Sequence, residues 1–160
     1  MNLPYLCNLK LILHSLEFIV VKTILGVIKM KQKLPTISRY LLGLIFLVFG
    51  GAGLFNLIPP PPNMPEKLMT FMNGLMATGY FFPLLKGTET LSGLLLLIGV
   101  APALILIILA PITLNIILVH LFLTPGLENL IMPVAIVALH LVAASKYKEI
   151  YFPLFKKNKN

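Results

Sequence analysis

Between residues 40 and 145 the chain is a succession of long apolar runs separated by short clusters of proline, glycine and polar residues. The first run, 40–58, holds nineteen residues without a charge, about 28 Å of helix at about 1.5 Å per residue, which suits the hydrocarbon core of a bilayer. Gly43, Gly50 and Gly53 recur along it at helical spacing, predicting close packing on a neighbouring helix through small residues. Four consecutive prolines at 59–62 cannot continue a helix and predict a stiff extended loop.

A different pattern occupies 65–80. Pro65 and Glu66 suit a helix's first turn, and Leu68, Phe71, Met72, Leu75, Met76 and Tyr80 form one stripe at a spacing of three to four residues. This predicts a short helix at the membrane interface, or else an extended start to the next span. A second span follows at 82–99, ending at Gly99 and Pro102, and a third covers 102–123 with Pro111 inside it. That proline frees the Ile107 carbonyl and predicts a kink, tolerated where neighbours re-satisfy the backbone. A turn at Thr124, Pro125 and Gly126 leads to a fourth span over 130–147. The fold class expected is all-α: an integral membrane four-helix bundle with a short additional interfacial helix between spans one and two.

Charge sharpens this picture. Of the thirteen basic residues, Lys10, Lys22, Lys29, Lys31, Lys33 and Arg39 precede the apolar region, and Lys146, Lys148, Lys156, Lys157 and Lys159 follow it. Only Lys67 and Lys86 lie between. A middle this poor in polar residues cannot cover a soluble domain. Basic residues at both ends predict cytoplasmic termini on a bacterial inner (plasma) membrane, and four crossings agree by returning the chain to its starting side. The net charge of +8 is read as an anchor for anionic lipid rather than a nucleic-acid surface, since the cations flank apolar spans and are not interleaved with aromatics. Lipid is thus the expected partner.

The domain organisation expected is an N-terminal extension at 1–29, one transmembrane domain at 30–151 and a basic cytoplasmic tail at 152–160. Lys10, Glu17, Lys22 and Lys29 break the extension into pieces too short to span a bilayer. It reads either as an amphipathic surface helix or as sequence upstream of a start at Met30. Glu17, Lys22 and the absence of a small-residue cleavage motif argue against a secretory signal. A single cysteine, Cys7, excludes an internal disulfide and a C-x-x-C redox centre.

Ionisable groups inside spans are expensive and mark function. Placed by about 1.5 Å per residue, Lys86 and Glu89 lie ~6 and ~10 Å from the outer edge and His120 at ~5 Å. Asn56 closes the first span, and Asn115 lies one to two turns deeper than His120. The candidate binding set is therefore Asn56, Lys86, Glu89, Asn115 and His120, with Lys86, Glu89 and His120 the candidates for chemistry. Lys86 and Glu89, three residues apart, share a helix face and can pair; the alternative is a snorkelling lysine with a neutralising partner. Asn115 also suits a plain interhelical hydrogen bond. Haem between His120 and His140 is excluded by depth, ~5 against ~16 Å. One histidine and one glutamate do not make a metal ligand set, so no metal is expected.

The run FMNGLMATGYFFPLLKGTETLSGLLLL at 71–97, LAPITLNIILVHLFL at 109–123 and RYLLGLIFLVFG at 39–50, with Phe55 and Asn56, resembles the DoxX family of bacterial membrane proteins. The resemblance spans about 37–150 and omits 1–29. Positions matching the family pattern are Asn56, Thr78, Gly79, Pro83, Lys86, Gly87, Glu89, Asn115 and His120. It implies a four-helix inner-membrane bundle. Some relatives are associated with quinone-linked sulfur oxidation and others with oxidative-stress complexes. For this chain it implies a membrane subunit of such a complex, with quinone as cofactor, no covalently bound group, and soluble redox proteins as partners. A small-solute carrier or permeability factor and a non-catalytic scaffold are the alternatives. Pro111 suits a carrier's broken helix, but the halves show no repeat.

Overall fold

The computed structural model describes residues 33–57, 59, 63–124 and 126–155, together with Lys22. The expected features at 1–29, most of the proline loop and the end of the basic tail lie outside the described residues. The chain divides into two compact units, Met1–Leu34 and Pro35–Asn160; the bundle belongs to the second. Helix α1 covers Lys33–Leu54, α2 Glu66–Ala77, α3 Phe81–Ile98, α4 Pro102–Leu123, α5 Ile131–Ser145 and α6 Lys148–Tyr151. Short 3-10 turns at Leu127–Leu130 and Phe152–Phe155 complete the regular structure. Four helices are long and apolar enough to cross a membrane: α1, α3, α4, and Leu127–Ser145 containing α5. The protein is a helical membrane bundle with one additional short helix, α2, between its first and second spans.

Three of the expected spans match the helices closely, whereas α1 begins seven residues before position 40 and ends four before position 58. A charge does not stop a helix, so Arg39 lies inside α1 rather than ahead of it. The end is set by Asn56, which adopts a left-handed φ of 52°. Leu57 N–H donates to the Ala52 carbonyl at 2.8 Å and Asn56 N–H to the Gly53 carbonyl at 3.3 Å. That pair of bonds satisfies two carbonyls the helix end would orphan, and asparagine tolerates the left-handed position better than most residues. Gly99 closes α3 in the same way at φ 78°, with its own N–H and that of Val100 donating to Leu95. Only three residues then separate α3 from α4, which makes them an antiparallel pair.

The helix α2 stands apart from α3 rather than extending it. Thr78 donates to the Leu75 carbonyl at 2.8 Å and accepts from Phe81 N–H at 3.1 Å, closing one helix and opening the next. Leu68, Phe71, Met72 and Leu75 are half-buried, while Met76 and Tyr80 are exposed, so the inner part of the expected stripe faces the bundle.

All four spanning helices contribute to one core, built from Leu42 and Phe46 of α1, Leu96 of α3, Leu106 and Leu109 of α4, and Ile136 and Ala143 of α5. Only 22–33% of the positions in each spanning window are buried; the outward remainder is dominated by leucine, isoleucine, valine and phenylalanine, a surface that suits lipid and not water. Side-chain contacts define the two ends of the bundle. At one end Lys146, just past α5, donates to Thr36 Oγ1 of α1 at 2.9 Å, and the Tyr151 hydroxyl donates to the Ala103 carbonyl of α4 at 2.9 Å. The α3–α4 turn lies at this end, and the end of α1 and start of α3 lie at the other.

Candidate functional site

The seam between α1 and α3 is made by glycine. A methyl group added at Gly43 would come within 3.0 Å of the Gly93 carbonyl oxygen, and one at Gly50 within 2.7 Å of the Thr90 backbone nitrogen. At Gly53 it would meet the Lys86 side chain at 2.8 Å. The three glycines therefore do what their spacing predicts, and the neighbour is α3. Their effect is to bring the α1 backbone directly against the polar stripe of α3, so that Lys86, Glu89 and Thr90 are walled by main chain.

Within that wall the Lys86 ammonium donates to Glu89 Oε2 at 2.8 Å. The Glu89 side chain is only 5% exposed and that of Lys86 22%. The Phe82 ring lies 5.9 Å from the ammonium, within reach of a cation–π contact. Thr90 spends its hydroxyl on the Lys86 carbonyl at 2.7 Å and is no partner for the carboxylate. Among the described residues nothing else bonds to either charged group. Two ammonium protons and one carboxylate oxygen are thus free to meet a ligand. Desolvating such a pair costs several kcal/mol per ion, by order of magnitude, so it is not an economical device for stability. It is a reasonable device for holding a cation in a fixed place beneath a partly open entrance.

The remaining predicted residues are not drawn into this pair. His120 is half-buried on α4, and its Nδ1 lies 2.8 Å from the Ile116 carbonyl. A carbonyl only accepts, so Nδ1 is a protonated ring nitrogen in this contact. Thr124 donates to the His120 carbonyl at 2.8 Å, fixing the last turn of α4. Asn115 lies on an exposed face of α4, and Asn56 is an exposed helix cap. No hydrogen bond or ion pair among the described residues joins Asn56, Asn115 or His120 to Lys86 or Glu89. No cluster of metal-binding side chains occurs among the described residues.

One polar contact between spans was not expected. Thr113 Oγ1 of α4 lies 2.9 Å from His140 Nδ1 of α5, and both side chains are buried. They floor a lateral apolar groove of about 540 Å³ between the two helices, walled by Leu106, Ala110, Ile117, Val137 and Leu141. The sequence signal is a threonine and a histidine in adjacent spans, a hydroxyl and an imidazole that can satisfy each other across the helix pair.

No family model, curated protein or solved structure matches the chain.

Proposed function

We propose that this protein is a DoxX-like membrane subunit of a quinone-linked redox or oxidative-stress complex, in which Lys86 and Glu89 form the binding site for a quinone headgroup or small anion. The observation that carries this reading is the Lys86–Glu89 pair: a 2.8 Å ion pair with its carboxylate buried, its ammonium partly open, and its donors and acceptors incompletely used. Lys86 supplies the positive charge that a carbonyl or anionic oxygen needs, and Glu89 holds that charge in place. His120, on α4, is the candidate proton relay, because its Nδ1 is held on the Ile116 carbonyl and the imidazole carries a second nitrogen for exchange. With the basic flanks facing the cytoplasm of a bacterial inner membrane, the site faces the periplasm, and soluble redox proteins dock there.

Quinone-dependent electron transfer by the purified protein with candidate partners tests the reading. Lys86→Ala and Glu89→Gln are each expected to lower the rate by about tenfold or more, the scale of a lost charge-assisted contact. A rate indifferent to both substitutions removes the site.

A further inference from the structure

Arg39 is buried to within 9% of its surface, and its Nε is enclosed without any hydrogen-bond partner. No carboxylate among the described residues pairs with it: the ion pairs there are Lys86–Glu89 and Lys148–Glu149. A guanidinium carries five fixed donors and is never neutral in a protein. Enclosing its Nε with that donor unused is costly in a soluble protein and more so in a membrane.

Its surroundings hold the charge while leaving an approach to it. The Tyr40 ring sits 4.5 Å from the guanidinium carbon, a cation–π contact that fixes the plane. The Nη1 edge lies beneath Gly99, where an added methyl would come within 3.2 Å of it. Gly99, Val100 and Ala101 are all exposed, so this edge lies against the exposed α3–α4 turn, where glycine contributes no side chain to cover it. A second cation lies at the same end of the bundle. Thr36 precedes Arg39 by three residues, on the same face of α1 and ~4.5 Å away along the axis, and its hydroxyl accepts from Lys146 at 2.9 Å. Lys146 therefore has two protons to spare beside the same stripe.

We propose that Arg39 and Lys146 together bind a phosphate oxyanion at the edge of the bundle formed by α1, the α3–α4 turn and the end of α5. A tetrahedral phosphate offers several acceptor oxygens, two of which the planar guanidinium fork can meet side by side, and Lys146 adds a point charge to the same group. The site is at the opposite end of the bundle from Lys86 and Glu89 and is independent of the function proposed for them. Phosphate of this kind reaches the site either as the headgroup of an anionic phospholipid or as a free ion.

The full chain in phosphatidylcholine nanodiscs, with and without phosphatidylglycerol, separates the sources by native mass spectrometry of retained lipid. A parallel melting series in phosphatidylcholine alone adds inorganic phosphate. If the source is lipid, the protein retains phosphatidylglycerol over phosphatidylcholine, Arg39→Gln lowers that preference by about tenfold or more, Lys146→Gln lowers it less, and Lys148→Gln leaves it unchanged. If the source is a free ion, inorganic phosphate raises the melting temperature and Arg39→Gln abolishes the rise. Should Arg39→Gln fail to fold, Arg39→Lys, which keeps the charge but loses the fork, and Lys146→Gln carry the same comparison. Lipid preference and phosphate response both unchanged in those variants overturn the proposal and leave Arg39 held by its cation–π contact with Tyr40.

Discussion

Gly50 and Gly53 face the same helix from one turn apart on α1, yet they meet different kinds of obstacle. At Gly50 the obstacles to a methyl group are the Thr90 backbone nitrogen and the Glu89 Cβ at 2.7 and 2.9 Å, neither of which can move without separating the helices. At Gly53 they are the methylenes of Lys86 at 2.8–3.2 Å, which can swing. Gly50→Ala is therefore expected to destabilise the bundle by about 1–3 kcal/mol, the usual range for overpacking, measured by denaturation in mixed micelles. Gly53→Ala is expected to leave stability nearly unchanged while lifting Lys86 off Glu89, seen as a shift of the Glu89 carboxylate band in isotope-edited infrared spectra. Equal stability losses in the two variants would show that the ion pair, not the backbone approach, dominates this seam. At this scale the sequence was informative where a spacing fixes a face. Glycines at helical spacing and a Lys–Glu pair three apart both led to the observed contacts. It was uninformative for Asn115 and His120, because depth in a span says nothing of azimuth. The helix α4 is apolar on every side, so no period distinguishes its inner face from its outer one.

Among the elements, the boundaries of α3 and α4 were legible because glycine and proline terminate helices for steric reasons. The start of α1 was not, because a charge limits the lipid-facing part of a helix and not the helix itself. Beyond α5 the chain forms the four-residue helix α6, too short to be stable by itself. It is tied down by the Tyr151 hydroxyl, which donates to the Ala103 carbonyl at 2.9 Å. Burial raises the pKa of this phenol above its ordinary value, and the neighbouring Tyr147 adds to the shift. The neutral phenol is thus the form the fold favours. The sign follows: its contribution is complete below the unfolded value near pH 10 and is lost as pH rises through the higher folded value. Amides of α6 are expected to exchange faster above about pH 10, beyond the chemical acceleration common to the chain. Tyr151→Phe should raise their exchange at pH 8 by the several-fold that a lost hydrogen bond of about 1 kcal/mol implies and should abolish the alkaline step. An alkaline step that persists in Tyr151→Phe would assign the effect to another group.

Across the whole molecule, contacts fix which ends of the helices lie together. Lys146 on Thr36 and Tyr151 on Ala103 gather the start of α1, the start of α4 and the end of α5. Gly53 against Lys86 gathers the end of α1 with the start of α3. Four crossings therefore bring the chain back to the end where it entered, as the basic residues on both flanks led one to expect. Which end faces the cytoplasm is a separate matter, decided by insertion and by the lysine bias rather than by packing. It fixes whether Lys86 meets periplasmic or cytoplasmic chemistry and whether Arg39 meets the leaflet richer in anionic lipid. Cysteine labelling in a Cys7→Ser background reads it directly. Asn63, in the loop before α2, and Lys148, beyond α5, are both exposed. Asn63→Cys is expected to react with an impermeant maleimide in intact cells, and Lys148→Cys only after permeabilisation. The reverse pattern would turn the bundle over and place the Lys86–Glu89 pair at the cytoplasmic face, where a periplasmic redox partner cannot reach it. Equal labelling of both positions in intact cells would be more damaging, because an even number of crossings would then have to separate Asn63 from Lys148, where α3, α4 and α5 supply three, and the four spans could not all cross the membrane.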